Sequence, residues 1–307
     1  MTGIPAAVRR WAAATIVLGL GALAAPAVAA DGNTLTIKNA CTYKIWIQQL
    51  NVDGAPTVVA IPAGKKHTYK IKDVGDVSTR FWPKSGCNSQ GYNCTVGESQ
   101  GKPKKGGGYS CPKQGCAPPV DSKIEVNWAC VGDGCNVGKA LTYYDISQVD
   151  GFTLPFSVKA EGSKKNSACV STNCAQLDMT SDCPTSEDLS TNGKYPSLKK
   201  VDLRMREPKS NKIVGCFSPC EKLTGGANYG GLGYAPSSDE AAYYCCPTPP
   251  ISSGQCQKGP APKTSYVKNV HKACHGKAYA YAYDDANGNH ACQGYTTLTM
   301  TICSGKN

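Results

Sequence analysis

Eighteen cysteines, every one beyond position 40, restrict what this 307-residue chain can fold into. An even count downstream of an export leader reads as a framework of disulfides rather than as free thiols. The closest spacings, Cys111/Cys116, Cys130/Cys135 and Cys216/Cys220, lack the paired CxxC arrangement of zinc modules, so structural metal is disfavoured. Cys245 and Cys246 are adjacent and must take different partners. Beyond that, spacing leaves the connectivity open.

The leader occupies residues 1–30. Arg9 and Arg10 precede an apolar run, Trp11 to Ala25, that is too short to span a bilayer comfortably. Pro26 breaks the run, and Ala27-Val28-Ala29-Ala30 offers small-residue cleavage sites. No later stretch is apolar enough to cross a membrane, so the expectation is a secreted, extracellular monomer with no stable membrane insertion and no cofactor. Thirty-three basic against 22 acidic residues give a formal charge of +11, which becomes +9 once Arg9 and Arg10 leave with the signal peptide. Such a protein drifts toward anionic surfaces. Its lysines are scattered through loops, as in Lys102-Pro103-Lys104-Lys105 and Lys199-Lys200, with no interleaved aromatic stripe, which excludes nucleic acid as the expected partner.

The fold class is mainly β. Leu35 to Gln49 alternates and reads as two strands around Asn39-Ala40-Cys41; Thr57–Pro62, His67–Ile71 and Thr79–Trp82 continue the pattern. Apolar periodicity fades from Pro83 to Pro119, returns at Ser122–Trp128 and runs through Leu141 to Val158. From Glu161 to Cys274 the chain is loop-rich, with helices expected near Cys216–Leu223 and near Ser237–Tyr244, the second capped by Ser237-Ser238-Asp239. Lys277–Tyr283 and Thr296–Cys303 read as closing strands, with a turn at Asp284–Gly288 between them. One sandwich core is therefore expected from 31–84, 120–168 and 275–307. A small disulfide-linked loop domain at 85–119 and a larger disulfide-rich loop and helix domain at 169–274 hang from it.

The segment Tyr143-Tyr144-Asp145-Ile146-Ser147-Gln148-Val149-Asp150-Gly151-Phe152-Thr153-Leu154-Pro155 carries two carboxylates among residues suited to a core. Two readings stand side by side. The aspartates are either turn residues bonding nearby amides, or acids projecting from the rim of the core.

This segment, YYDISQVDGFTLPF, resembles the most diagnostic stretch of the thaumatin-like proteins, the family that includes the pathogenesis-related group 5 plant defence proteins. The start LTIKNACTYKIWI, the block TRFWPKSGC, the doublet YYCC, the run YAYAYDD and the end LTMTIC agree in order, and the resemblance covers nearly all of the chain after the leader. It implies a β-sandwich body with an acidic cleft facing a loop-rich second domain. It also implies the bridges Cys41–Cys303, Cys87–Cys94, Cys111–Cys116, Cys169–Cys292, Cys174–Cys274, Cys183–Cys216, Cys220–Cys245 and Cys246–Cys256. Cys130 and Cys135, which the family lacks, are left over and close a local ninth bridge around Gly132-Asp133-Gly134. Carried over residue by residue, the cleft consists of Arg80, Glu125, Asp145 and Asp150. A further family acid falls at Ala129, where none stands, and Asp133 is the candidate substitute.

Clustered carboxylates suit glycoside hydrolysis, in which one acid protonates the leaving oxygen while a second attacks the sugar or activates water. Glu125, between Ile124 and Val126, is the expected proton donor; Asp145 and Asp150 are the expected ionised partners, held off by Arg80. Tyr143, Tyr144 and Phe152 are candidate platforms for sugar rings. The same cluster also suits a non-catalytic lectin, so the enzyme question stays open. The leading reading is recognition of β-1,3-glucan-type polysaccharide, or of a fungal cell surface that carries it, with weak endo-glucanase activity. The alternative is a non-enzymatic antifungal or enzyme-inhibitor protein acting through its basic surface. His271, His275 and His290 do not make a metal site if Cys274 is bridged. Asp284-Asp285 reads as a turn, and Ser147 lacks a GxSxG context.

Overall fold

A computed structural model describes residues 32–98, 102–103, 109–110 and 120–305. The expected signal peptide and the Cys111–Cys116 bridge lie outside the described residues.

Period-two alternation builds the body. In Thr34–Asn39, Leu35 and Ile37 are fully buried while their neighbours face outward. The 13-residue strand His290–Ile302 organises the sheet. Its first residues, His290–Gln293, pair antiparallel with Leu141–Ser147. From there the sheet continues through Lys123–Asn127, Thr79–Lys84, Ile45–Leu50 and Val58–Ile61. Its later residues, Thr297–Ile302, pair in parallel with Thr34–Asn39 and antiparallel with Phe156–Lys164. The change of neighbours falls at Gly294, whose φ of 77° lies in the left-handed region. A side chain there would collide with the Ser163 hydroxyl. One strand thus serves two layers, and the sheet curls into a flattened, barrel-like sandwich. Ile37, Ile47, Phe81, Ile124, Ile146 and Leu298 meet in its core, each fully or almost fully buried. Burying each side chain of this size is worth about 1.5–3 kcal/mol.

Eight bridges are formed among the described residues. They are Cys41–Cys303, Cys87–Cys94, Cys130–Cys135, Cys169–Cys292, Cys174–Cys274, Cys183–Cys216, Cys220–Cys245 and Cys246–Cys256. Cys41–Cys303 fastens the end of the first strand to the end of the last.

The stretch between residues 169 and 274 is less irregular than its composition suggests. Ile213–Phe217 pairs with Arg204–Arg206 and with Gly151–Phe152, forming a small sheet that ties this region to the rim of the sandwich. Four short helices follow: α1 Pro219–Thr224, α2 Ala242–Cys245, α3 Ser253–Lys258 and α4 Ser265–Ala273. The expected helix near Cys216 begins only at Pro219, because Cys216 and Phe217 belong to a strand. The expected cap of the second helix is not used: α2 starts after Ala241, and the Ser238 hydroxyl has no hydrogen-bond partner. Lys277–Tyr283 is not a strand. Tyr279 makes one isolated bridge to Ser147, and the Asp284 carboxylate then takes the Ala280 N–H at 3.0 Å, removing it from any ladder. A short helix, α5 Asp285–Gly288, replaces the expected turn.

Candidate acidic cleft on the sheet face

The outer face of the sheet brings Arg80, Glu125 and Asp145 into one cross-strand row. Arg80 lies directly opposite Glu125, and Glu125 directly opposite Asp145. Alternation dictates this. Phe81, Ile124, Val126, Tyr144 and Ile146 take the core face, so the intervening residues must point the other way. Arg80 Nε sits 2.7 Å from Glu125 Oε1, with side chains 50% and 29% exposed. Asp145 is more enclosed, and its Oδ1 is buried with no hydrogen-bond partner. Burial, reinforced by the charge of Glu125, pushes the Asp145 carboxyl well above the usual carboxylate range, against the opposing pull of Lys123 and Arg80. The row opens into a cleft of about 400 Å³ whose walls include Ser78, Asn127, Tyr143 and Tyr279. Tyr279 is held by a 2.6 Å bond from its hydroxyl to Asp285 Oδ1.

Four expected site residues lie elsewhere or do other work. Asp150 does not line the cleft; it pairs with the buried ammonium of Lys123. The turn that carries it there needs Gly151 at φ 128°, where a Cβ would strike the Cys216 carbonyl. Phe152 is fully buried and stacks on Tyr266 with ring centroids 5.7 Å apart, so it offers no face to a sugar. Tyr144 is 2% exposed; its hydroxyl donates to the Val170 carbonyl at 2.7 Å and accepts the Val170 N–H at 2.8 Å. Asp133 is exposed and lines a separate cavity with Asp73 and Tyr295, so it does not replace the missing acid. Tyr143, 45% exposed on the cleft wall, is the expected platform residue that is placed to meet a ring. Of the cleft row, Asp145 is the residue whose carboxyl burial disposes to keep its proton.

Two residues emerge that the sequence reading did not single out. Lys123 precedes Glu125 by two positions on the same strand face, and its side chain is 6% exposed. Burial works against its charge, but Asp150 and Asp121 outweigh this and hold the ammonium protonated. Alternation in SKIEVNW was the signal that could have found it. Glu221 arrives from α1, and burial together with Asp150 pushes its carboxyl up to about 8. Nothing local in the sequence announces that approach, which depends on the chain folding back across the rim.

Among the described residues no group of three or more His, Cys, Asp or Glu is placed to hold a metal ion. His271 Nε2 instead bonds the buried Asp284 carboxylate at 2.7 Å, and His290 Nε2 lies 3.1 Å from the Lys277 carbonyl. No helix among the described residues is long and apolar enough to cross a membrane.

Comparison with known proteins agrees with this architecture. A family model described as the Thaumatin family matches residues 39–304. A glucan endo-1,3-beta-glucosidase from Prunus avium is 26% identical over 89% of this chain and 91% of its own. Thaumatin-like protein 1 from Arabidopsis thaliana is also 26% identical, over 90% of this chain and 88% of its own. Among solved structures, a laminaripentaose-producing beta-1,3-glucanase from Paenibacillus barengoltzii covers 89% of this chain and is covered over 75% of its own, at 14% identity and a TM-score of 0.49, too loose a likeness to carry an argument. The match across the body of the chain, the bridges and the barrel-like sheet converge: this chain belongs to the thaumatin family.

Proposed function

We propose that this is an exported protein that binds β-1,3-glucan-type polysaccharide in the Arg80–Glu125–Asp145 cleft and cleaves it slowly at internal linkages. The observation that carries the reading is the Asp145 carboxyl. It is enclosed, one oxygen has no protein partner, and it stands opposite a second carboxylate already paired with arginine. A neutral acid beside an ion-paired one is the division of labour that glycoside hydrolysis requires. The Prunus avium relative supports the substrate class.

In this scheme Asp145 donates its proton to the glycosidic oxygen as the C–O bond breaks. Glu125 attacks the anomeric carbon, and Arg80 orients it through the 2.7 Å contact. Water, deprotonated by Asp145, then releases the sugar from Glu125 and restores both groups. Directly opposed side chains on neighbouring strands have Cβ atoms about 4.5–5.5 Å apart. That closeness suits the retaining class, whose carboxyls are about 5 Å apart, better than the wider inverting class. Tyr143 supplies an apolar face for a ring.

Reducing-sugar release from laminarin, measured beside calorimetric binding, tests the reading. Asp145→Asn and Glu125→Gln are each expected to lose about 100-fold or more in hydrolysis while keeping most of the binding. A wild-type protein that neither binds nor cleaves laminarin overturns the reading. In that case the basic surface becomes the better account, and salt-sensitive leakage from fungal cells is its measurement.

A further inference from the structure

Past the end of the acidic row the sheet face does not close. Ser78 borders the cleft and also borders a second cavity of about 540 Å³ formed with Asn51, Val52, Asp53, Asp76 and Val77. Both volumes fall within the roughly 300–1,000 Å³ typical of small-ligand sites. The shared residue is pinned from both sides. Its N–H donates to Asn127 Oδ1 at 2.6 Å, and its carbonyl accepts from Asn51 Nδ2 at 3.0 Å. Asn127 lines the cleft and Asn51 lines the second cavity, so one fixed backbone position joins the two.

The lining of the second cavity has a definite chemistry. Asp76 is 9% exposed, and its Oδ2 has no hydrogen-bond partner in the protein. Leaving such an acceptor buried and unpaired costs about 1–3 kcal/mol, a cost that is removed if the carboxylate turns toward the cavity and meets a ligand hydroxyl. Asp53 is already paired with Lys72, so the cavity does not present two free carboxylates to a cation. Val77, 70% exposed, and Val74, 71% exposed, stand on the same loop and offer apolar surface to solvent. Hydroxyl donors on one side of a ring and C–H groups on its face are what a pyranose brings to such a surface.

We propose that the Asn51–Asp53–Asp76–Val77 cavity is a second sugar subsite, joined to the acidic cleft across Ser78, so that the ligand is an extended chain and not a single terminal sugar. The inference rests on the polysaccharide reading of the cleft and deepens it. Asp76 accepts a hydroxyl, and Val77 packs on a ring face. A glucan held at both places presents an internal linkage to Asp145 and Glu125, which accounts for attack within a chain.

The test is a calorimetric titration with unbranched β-1,3-linked gluco-oligosaccharides of increasing length, on wild type and on Val77→Asp. Val77 is exposed, so the variant is expected to fold normally. Wild type is expected to bind long oligomers about tenfold tighter than the shortest oligomer it binds. Val77→Asp is expected to erase that gain while leaving the shortest oligomer unaffected. If wild type binds oligomers but length brings no gain, or if Val77→Asp binds long oligomers as wild type does, the second subsite is wrong and the cleft reading survives. If wild type binds no oligomer of any length, the cleft reading falls and takes the subsite with it.

Discussion

Lys123 and Glu125 stand two residues apart on one strand and face the same way, yet their surroundings differ completely. Glu125 belongs to a row that opens to solvent, with Arg80 half exposed beside it and Asp145 enclosed behind. Lys123 is sealed: its ammonium pairs with Asp150 from the rim turn, and its charge is also felt by the buried Glu221 carboxyl of α1. The difference is made by the region between residues 169 and 274. The pairing of Gly151–Phe152 with Cys216–Phe217 draws α1 over one end of the sheet face and leaves the other end free. An ion pair on the same sheet face therefore becomes a structural latch where a second layer covers it and part of a candidate reaction centre where none does.

Breaking the latch should give the largest effect. Lys123→Met removes the counter-charge of Asp150; because that carboxylate is partly exposed, the cost should fall at the lower end of the roughly 3–5 kcal/mol for breaking a buried pair. Denaturant unfolding checks it; a loss below about 1 kcal/mol would erase the distinction between the two ends of the face.

Glu221→Gln sharpens the contrast through pH. The folded-state carboxyl of Glu221 is raised from its ordinary 4.5 to about 8. A raised acid contributes stability that is fully present below pH 4.5 and is lost as pH rises through about 8. Wild type should therefore lose stability across this window relative to Glu221→Gln. The variant should be the more stable by about 2 kcal/mol at pH 9, an order-of-magnitude figure, and equal to wild type near pH 4. Thermal melts over that range would contradict the assignment if the two profiles run parallel.

At the open end the stability effect should be smaller. Arg80→Gln breaks a half-exposed ion pair and should cost less than about 1 kcal/mol, while lowering laminarin hydrolysis through loss of the Glu125 contact. The smallest effect belongs to Asp133→Asn. Its cavity lies apart from the cleft, so laminarin binding and hydrolysis should both remain at wild-type levels.

Sequence reading captured what strand alternation controls. Glu125 and Asp145 were expected together from the family resemblance, and alternation is the reason they meet: Ile124, Val126, Tyr144 and Ile146 take the other face. It failed where tertiary contacts decide the outcome. Asp150 looks equivalent to Asp145 on paper, but the left-handed Gly151 turns it toward Lys123. Tyr144 and Phe152 look like sugar platforms, but the neighbours that bury them, Val170 and Tyr266, arrive from distant stretches of chain. Helix α4 carries a local signal in its sequence. Thr264 caps it by accepting the Val267 N–H, and Tyr266, Val267 and Val270 form its buried stripe. The approach of Glu221 had no local signal, because α1 is held by the Cys183–Cys216 bridge just before it and by the Cys220–Cys245 bridge from within it.

The central claim is that the open end of the sheet face keeps one neutral acid beside an ion-paired one. Carbon-13 NMR of the side-chain carboxyls, followed against pH and assigned through Asp145→Asn, measures this directly. An unperturbed aspartate titrates near 3.9; the account predicts that the Asp145 resonance is still that of the protonated acid at pH 5 and moves only well above it. An Asp145 resonance that has completed its titration by pH 5 would contradict the account, because the cleft would then hold no aspartic acid able to donate a proton.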